Sequence, residues 1–308
     1  MSAFHPDLRL GRFIPGFSFG PKLASWLGPR GRRPAPPTVA DVTVEDIDVP
    51  ASGASPAVSL RLYRPKHAPS PMPAYYWMHG GGFIIGQPEQ DEWSSLALAR
   101  ELQITVAAVR YRLSPAHPAP AAVEDAYAGL RWLFAQAPAL GLDPSRIAIG
   151  GASAGGGLAA TLALVAHDRQ EVRPRFQLLV YPMLDDRTAT RTDLDLSHVR
   201  VWTQGSNVFA WTSYLGHAPG IATTSPYAAA ARREDLRGLP AAWIGVGSLD
   251  LFHDEDLAYA RRLEASGVPC EVHVVPGAFH GFDALFRNAP VSKAFWAEQA
   301  RVLKAALF

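Results

Sequence analysis

The residues with the clearest chemical meaning are Gly151, Ala152, Ser153, Ala154 and Gly155, a G-x-S-x-G run in which a serine hydroxyl has only small neighbours. A chain that reverses sharply between a strand and a helix needs small residues on both sides of the turn, and such a turn lifts the serine oxygen clear as a nucleophile. The apolar run Ile147 to Ile149 precedes the serine and a helical pattern from Ala154 follows it, so the local context predicts strand, turn and helix. A phosphate-binding glycine loop would need Lys-Ser or Lys-Thr after its last glycine, and this stretch has neither.

A hydroxyl nucleophile needs a base, an acid to orient that base, and donors for the developing oxyanion. His79, Gly80, Gly81 and Gly82 directly follow the apolar stretch Tyr75 to Met78. Their place predicts that the N–H groups of Gly81 and Gly82, with that of Ala154, supply those donors. His79 itself reads as a brace for the glycine loop. Of the ten histidines, His280 lies in Pro276-Gly277-Ala278-Phe279-His280-Gly281-Phe282, after the last predicted strand, where a loop delivers an imidazole over the sheet. The acid is expected between serine and histidine in chain order. Asp250 follows the Ala242 to Val246 run and fills that place. Asp254, Glu255 and Asp256 compete with it by position, but they open a predicted helix, where acids meet the positive end of the dipole, and they read as capping residues. Ser153, His280 and Asp250 together predict acyl transfer through an acyl-serine.

Short apolar runs alternating with helix-sized stretches must position these groups. Strands are predicted at Val42–Val49, Val58–Tyr63, Tyr75–Met78, Thr105–Val109, Ile147–Ile149, Gln177–Val180, Ala242–Val246 and Glu271–Val275. Helices are predicted at Ala121–Phe134, Ala154–His167, Asp254–Ala265 and Ser292–Leu307. This alternation predicts an α/β fold, a mostly parallel sheet flanked by helices with the site at the carboxyl ends of the strands. Residues 41–184 and 228–308 are assigned to the catalytic domain, 1–40 to an N-terminal cap segment and 185–227 to an inserted cap segment. The N-terminal part holds Phe4, Phe13, Phe17, Phe19 and Trp26, apolar side chains expected to pack against something. Phe83 and the inserted residues Trp202, Phe209 and Trp211 are assigned to a substrate pocket.

Composition excludes several classes. With 48% hydrophobic and 19% charged residues the chain has a globular balance, and a formal charge of +1 with no dense Lys/Arg tract points neither to nucleic acid nor to an anionic membrane. Arg30, Arg32 and Arg33 read as a solvated loop. Cys270 is the only cysteine, so no intrachain disulfide and no zinc or CxxC framework is expected. The first twenty residues carry charges and prolines where a secretory signal needs an apolar run, and no stretch is long and apolar enough to span a bilayer. A cytoplasmic protein without stable membrane insertion is expected. Only four of its 29 basic residues are lysine, which suits a GC-rich bacterial genome.

From about Val42 to the C-terminus, and more loosely over the N-terminal segment, the chain resembles the hormone-sensitive-lipase-like (bacterial family IV) carboxylesterases of the α/β-hydrolase superfamily. The resemblance rests on His79 to Phe83, Tyr111 to Pro118, Gly150 to Gly157, Asp250 with Asp254 and Glu255, and His280 to Phe282. It departs at Ala152, where the family often has an acid, at Ala116, often Glu, and at Leu251, usually Pro. None of these is a triad or oxyanion position. The resemblance implies a helical cap, hydrolysis of short to medium acyl esters, no metal or cofactor, and a homodimer through the edge strand Glu271–Val275. The same triad serves amide hydrolysis, long-chain lipids at an interface are a third reading, and related folds that lose a triad member act as small-molecule receptors. A small-molecule ester remains the expected partner.

Overall fold

The structure is a computed structural model that describes residues 3–16, 18–27, 33–53 and 55–308. Phe17, Arg30 and Arg32 lie outside the described residues. Among those described, β1 (Val42–Val49), β2 (Val58–Pro65), β3 (Met72–Met78), β4 (Thr105–Arg110), β5 (Leu142–Ala152), β6 (Phe176–Val180), β7 (Ala241–Gly247) and β8 (Cys270–Val275) form one sheet in the order β1-β2-β4-β3-β5-β6-β7-β8. β1 and β2 pair antiparallel, β2 pairs antiparallel with β4, and every pairing from β4 to β8 is parallel. The helices are α1 (Pro21–Leu27), α2 (Glu92–Leu102), α3 (Ala121–Gln136), α4 (Ala154–Arg169), α5 (Gln204–Leu215), α6 (His253–Ala265), α7 (Phe282–Leu285) and α8 (Pro290–Leu307).

Parallel strands need crossover helices, and those helices cover both faces. β3 shows the consequence residue by residue. Tyr76 and Met78 face a core shared with α3, α4 and α6 through Leu130, Leu133, Leu158, Leu162 and Leu263. Tyr75 and Trp77, one residue out of phase, face a core shared with α2 and α8 through Leu98, Leu102, Phe295 and Leu303. The period-two alternation therefore survives inside a strand that is buried throughout.

All eight strands lie where the sequence predicts them, β5 extended by several residues at both ends. α2 was not predicted. Its buried positions, Ser94, Ser95, Leu98, Ala99 and Leu102, include two serines, so no clean apolar stripe marks it.

The N-terminal segment corrects one expectation. Phe4 is buried and Phe19 packs on Trp202, but Phe13 and Trp26 are 68% and 64% exposed. For Phe13 the cause is a 3-10 helix at Pro6–Phe13. With three residues per turn, only the Leu8 and Gly11 column faces inward, and Phe13 falls on an outer column.

Segment 185–227 holds a 3-10 turn (Asp186–Thr190) and α5, with Trp202, Trp211 and Tyr214 buried. Buried Asp186 fastens its two ends. It accepts from Gly220 N (2.7 Å), Thr224 Oγ1 (3.0 Å) and Arg232 Nε (2.7 Å). No helix of the described residues is long and apolar enough to cross a membrane.

Candidate active site

β5 ends at Ala152 and α4 starts at Ala154, which leaves Ser153 alone in the turn at φ 57°, ψ −122°. A non-glycine residue in that region carries strain of about 1–3 kcal/mol and persists only where its surroundings fix it. Here the Ser153 N–H donates to Val180 O (2.9 Å), and its carbonyl accepts from Gly157 N and Met183 N (3.0 Å each). The reversal also forces the helix start against β3. A Cβ on Gly155 would overlap the carbonyl oxygens of Met78 and His79, so only glycine fits there.

The loop after β8 delivers His280. That loop is pinned where Leu249 N donates to Ala278 O (2.9 Å) and Gly277 N to Ser248 Oγ (2.8 Å), and from the N-terminal segment by His5 N to Gly277 O (2.9 Å). His280 Nε2 then stands 3.0 Å from Ser153 Oγ, and Nδ1 stands 2.9 Å from Asp250 Oδ2. The other carboxylate oxygen, Asp250 Oδ1, accepts from Phe252 N (3.0 Å). With a carboxylate at Nδ1, that nitrogen carries the proton and leaves Nε2 as acceptor for the serine hydroxyl, a tautomer assigned from the hydrogen bonds. All three residues are buried.

Two aromatic neighbours fix the imidazole plane. Phe252 meets it edge-on at 5.2 Å and Tyr181 at 4.7 Å between ring centroids. Tyr181 OH donates to Asp283 Oδ1 (2.9 Å), and burial raises the Asp283 carboxyl to about 6. Sequence reasoning passed over Tyr181, although its place directly after the β6 run, at the carboxyl edge of the sheet, was a usable signal.

On the opposite side of Ser153 lies the glycine loop. A Cβ on Gly80 would sit 3.4 Å from Ser153 Cβ, so the loop runs against the serine. Gly81 takes φ 127°, and its carbonyl accepts from Ile84 N and Ile85 N (3.0 Å each), which curls the loop. Among the described residues the Gly81 and Gly82 N–H groups donate to no backbone carbonyl, and the Ala154 N–H is a first-turn donor of α4. Three N–H groups in this region are therefore without intrahelical or loop partners. His79 lies beneath them, stacked on Tyr111 at 4.2 Å, with Nδ1 2.9 Å from Gly80 O and its carbonyl accepting from Tyr111 OH (2.7 Å). Burial lowers the His79 pKa to about 4, so this ring is neutral at pH 7.

A buried serine hydroxyl bonded to an imidazole, itself bonded to a carboxylate, is equipped for acyl transfer. Residues 75–284 match the family described as alpha/beta hydrolase fold. This chain belongs to the α/β-hydrolase family. Within it the hydrolase stands in the hormone-sensitive-lipase-like branch expected from its motifs. It is 35% identical over 243 residues to the esterase LipI of Mycobacterium tuberculosis, covering 77% of this chain and 74% of that one. It is 33% identical over 262 residues to the carboxylesterase NlhH of the same species, covering 80% of this chain and 77% of that one. The solved structure of a bacterial heroin esterase superposes with a TM-score of 0.88 at 34% identity, covering 99% of this chain and 98% of that chain. The hydrolase is thereby a carboxylic ester hydrolase.

The four aromatics assigned to a pocket have different places in the hydrolase. Trp202 lies beside the histidine, its ring against Gly82 and 6.3 Å from the His280 ring. Phe83 and Trp211 belong to the packed layer behind the glycine loop, Phe83 stacked on Tyr214 at 3.9 Å. Phe209 faces a cavity of about 1080 Å3 that Ile84, Gly86, Tyr111 and Leu113 also line.

The acids after Asp250 do not cap α6 as expected. Asp254 pairs with Arg191 (2.9 Å), and Glu255 accepts from Leu184 N (2.7 Å) and Asp185 N (3.1 Å), reaching across to the loop after β6 instead of to its own helix. Asp256 is fully buried, and both its oxygens lack a partner among the described residues. Burial, with Glu255 and Asp250 nearby, raises its pKa well above the ordinary value. The folded state thus favours neutral Asp256, whereas the unfolded chain ionises it from about pH 4. Folding loses stability to this group as pH rises from there, by about 1.4 kcal/mol per unit until the folded pKa is reached. Asp256→Asn is therefore expected to be increasingly more stable than the parent as pH rises from about 4 toward neutrality. Urea midpoints across that range test it, and a constant difference would show that Asp256 is not held neutral.

Proposed function

We propose that this ester hydrolase is a serine carboxylesterase cleaving short to medium acyl esters through an acyl-Ser153 intermediate. Ser153 Oγ attacks the ester carbonyl while its proton passes to His280 Nε2. The tetrahedral intermediate collapses with cleavage of the bond to the leaving oxygen, which departs as the alcohol by taking that proton. Water then enters, gives its proton to His280 and releases the acid by the same route. Asp250 holds the Nδ1 proton and offsets the imidazolium charge. Gly81, Gly82 and Ala154 receive the oxyanion. The observation that carries this reading is the unbroken pair of contacts at 3.0 and 2.9 Å from Ser153 through His280 to Asp250.

Segments 1–40 and 185–227 act in this reading as caps over the domain formed by 41–184 and 228–308. Trp202 against Gly82 narrows the space beside the serine, which favours short acyl groups. Phe83 and Trp211 support that wall from behind, and Phe209 serves the cavity beyond. The single cysteine suits a cytoplasmic setting, and β8, the sheet's open edge, suits pairing with a second copy.

A series of chromogenic esters of increasing acyl length tests the substrate class, with a serine-directed phosphonate as the test of the nucleophile. Turnover is expected to peak among dissolved short and medium esters and to fall on emulsified long ones, and the phosphonate to add once, at Ser153. Preference for emulsified long chains would overturn the substrate class. A folded protein that takes up no phosphonate would overturn the nucleophile.

A further inference from the structure

The near-zero total charge hides an asymmetry. Residues 1–33 carry six Lys/Arg against one Asp, while the rest of the chain carries 23 against 27. On the body, exposed arginines are mostly neutralised by a neighbouring acid, as in Arg100–Asp41, Arg146–Asp143, Arg169–Glu124 and Arg237–Asp235. In the N-terminal segment Arg33 pairs with Asp48 (2.6 Å), whereas Arg9, Arg12 and Lys22 make no ion pair among the described residues, and Asp7 is occupied by Val291 N (3.0 Å).

The 3-10 helix at Pro6–Phe13 sorts its side chains into columns by its three-residue repeat. Leu8 and Gly11 face inward, and a Cβ on Gly11 would overlap the Phe279 ring, next to His280. Arg9 and Arg12 form one outer column. Leu10 and Phe13, 62% and 68% exposed, form the other, and the Arg12 guanidinium lies 4.6 Å from the Phe13 ring centroid. α1 repeats the pairing on a smaller scale, with exposed Lys22 and Trp26 one helical turn apart. A cationic column beside an aliphatic and aromatic one is the composition of a surface that lies in a lipid headgroup layer.

We infer that the N-terminal segment is a docking surface for anionic lipid bilayers, with Leu10, Phe13 and Trp26 seated among the headgroups and Arg9, Arg12 and Lys22 against the phosphates. Its attachment is peripheral. Leu10 and Phe13 favour lipid over nucleic acid, which offers an aliphatic column nothing to bury in. The docked segment packs on the residue next to His280, through Gly11 on Phe279, and on Trp202 through Phe19, so docking would bring this side of the molecule to the membrane. The inference stands apart from the esterase reading, because vesicle binding alone decides it.

The test is sedimentation of the full chain with vesicles of phosphatidylcholine alone or in equal parts with phosphatidylglycerol. Binding is expected to the anionic vesicles only, and to weaken from about 0.1 M to about 1 M salt as the screening length falls from about 10 to about 3 Å. Arg9→Ser with Arg12→Ser is expected to lower the partition roughly 25-fold, about fivefold for each charge. Leu10→Ser with Phe13→Ser is expected to lower it at least tenfold, by about the transfer free energy of one partly buried apolar side chain. All four side chains are exposed, so the melting temperature and the turnover of a dissolved ester should not change. Equal binding to both vesicle types, or variants that bind like the parent, would overturn the inference. So would a dimeric parent that Leu10→Ser with Phe13→Ser turns into a monomer, since the surface would then belong to a second copy.

Discussion

Ser153→Ala is expected to lower kcat on a short chromogenic ester by about 10⁵- to 10⁶-fold with little change in KM. The size follows from what the hydroxyl does in the proposed mechanism. It forms the covalent bond in the transition state and adds little to ground-state binding, so its removal acts on kcat. The fold should not notice. Every bond that holds Ser153 in its turn is a main-chain bond, from its N–H to Val180 O and to its carbonyl from Gly157 N and Met183 N, and alanine keeps all three. Alanine also accepts the same φ at about the same cost. His280 stays pinned by its own loop and by Asp250. The measurement is single-batch kinetics of parent and variant beside thermal melting and phosphonate labelling. An unchanged melt, no adduct and no turnover is the expected set. More than about 1% of parental kcat in a folded variant would mean that another group attacks the ester, a loss far too small for a missing nucleophile.

How far the chain could be read without its structure depends on the kind of signal each part gives. The strands were legible because burial on both faces leaves short apolar runs separated by turn residues, and the serine and histidine because each follows such a run at the end where loops gather. The N-terminal segment was not, since a three-residue repeat is invisible to a search tuned to periods of two and 3.6, and it set Phe13 outside where packing was expected. α2 escaped for a related reason, two of its five buried positions being serine. Pocket residues were the least legible. Phe83, Trp202, Phe209 and Trp211 are alike in type and lie close in sequence or motif, but their places are decided by tertiary packing, which sets the Trp202 ring over Gly82 and beside His280.

The acid was the weakest sequence assignment, and Asp250→Asn is the substitution that tests it most sharply. Four carboxyls lie within seven residues, and type and spacing alone rank them only by a helix-start argument. The geometry separates them by occupation. Asp254 is held by Arg191, Glu255 by two backbone N–H groups in the loop after β6, and Asp256 has no partner among the described residues, whereas Asp250 alone has an oxygen on His280. Asparagine at 250 has nearly the same shape but one acceptor oxygen. Phe252 N already needs an acceptor there, at 3.0 Å from Oδ1, so the amide oxygen is drawn to that donor and the amide NH2 is turned toward His280 Nδ1. The imidazole must then accept at Nδ1 and carry its proton at Nε2, facing Ser153 Oγ with a hydrogen where a lone pair is needed. A kcat lower by about 10⁴ is expected, with KM and fold preserved, because the change acts on the tautomer and on the missing counter-charge rather than on binding. Asp254→Asn, which weakens only exposed contacts with Arg191 and His253, should leave kcat within about a factor of two. If Asp250→Asn keeps more than about a tenth of parental kcat, the wrong-tautomer argument fails and the orienting acid lies elsewhere.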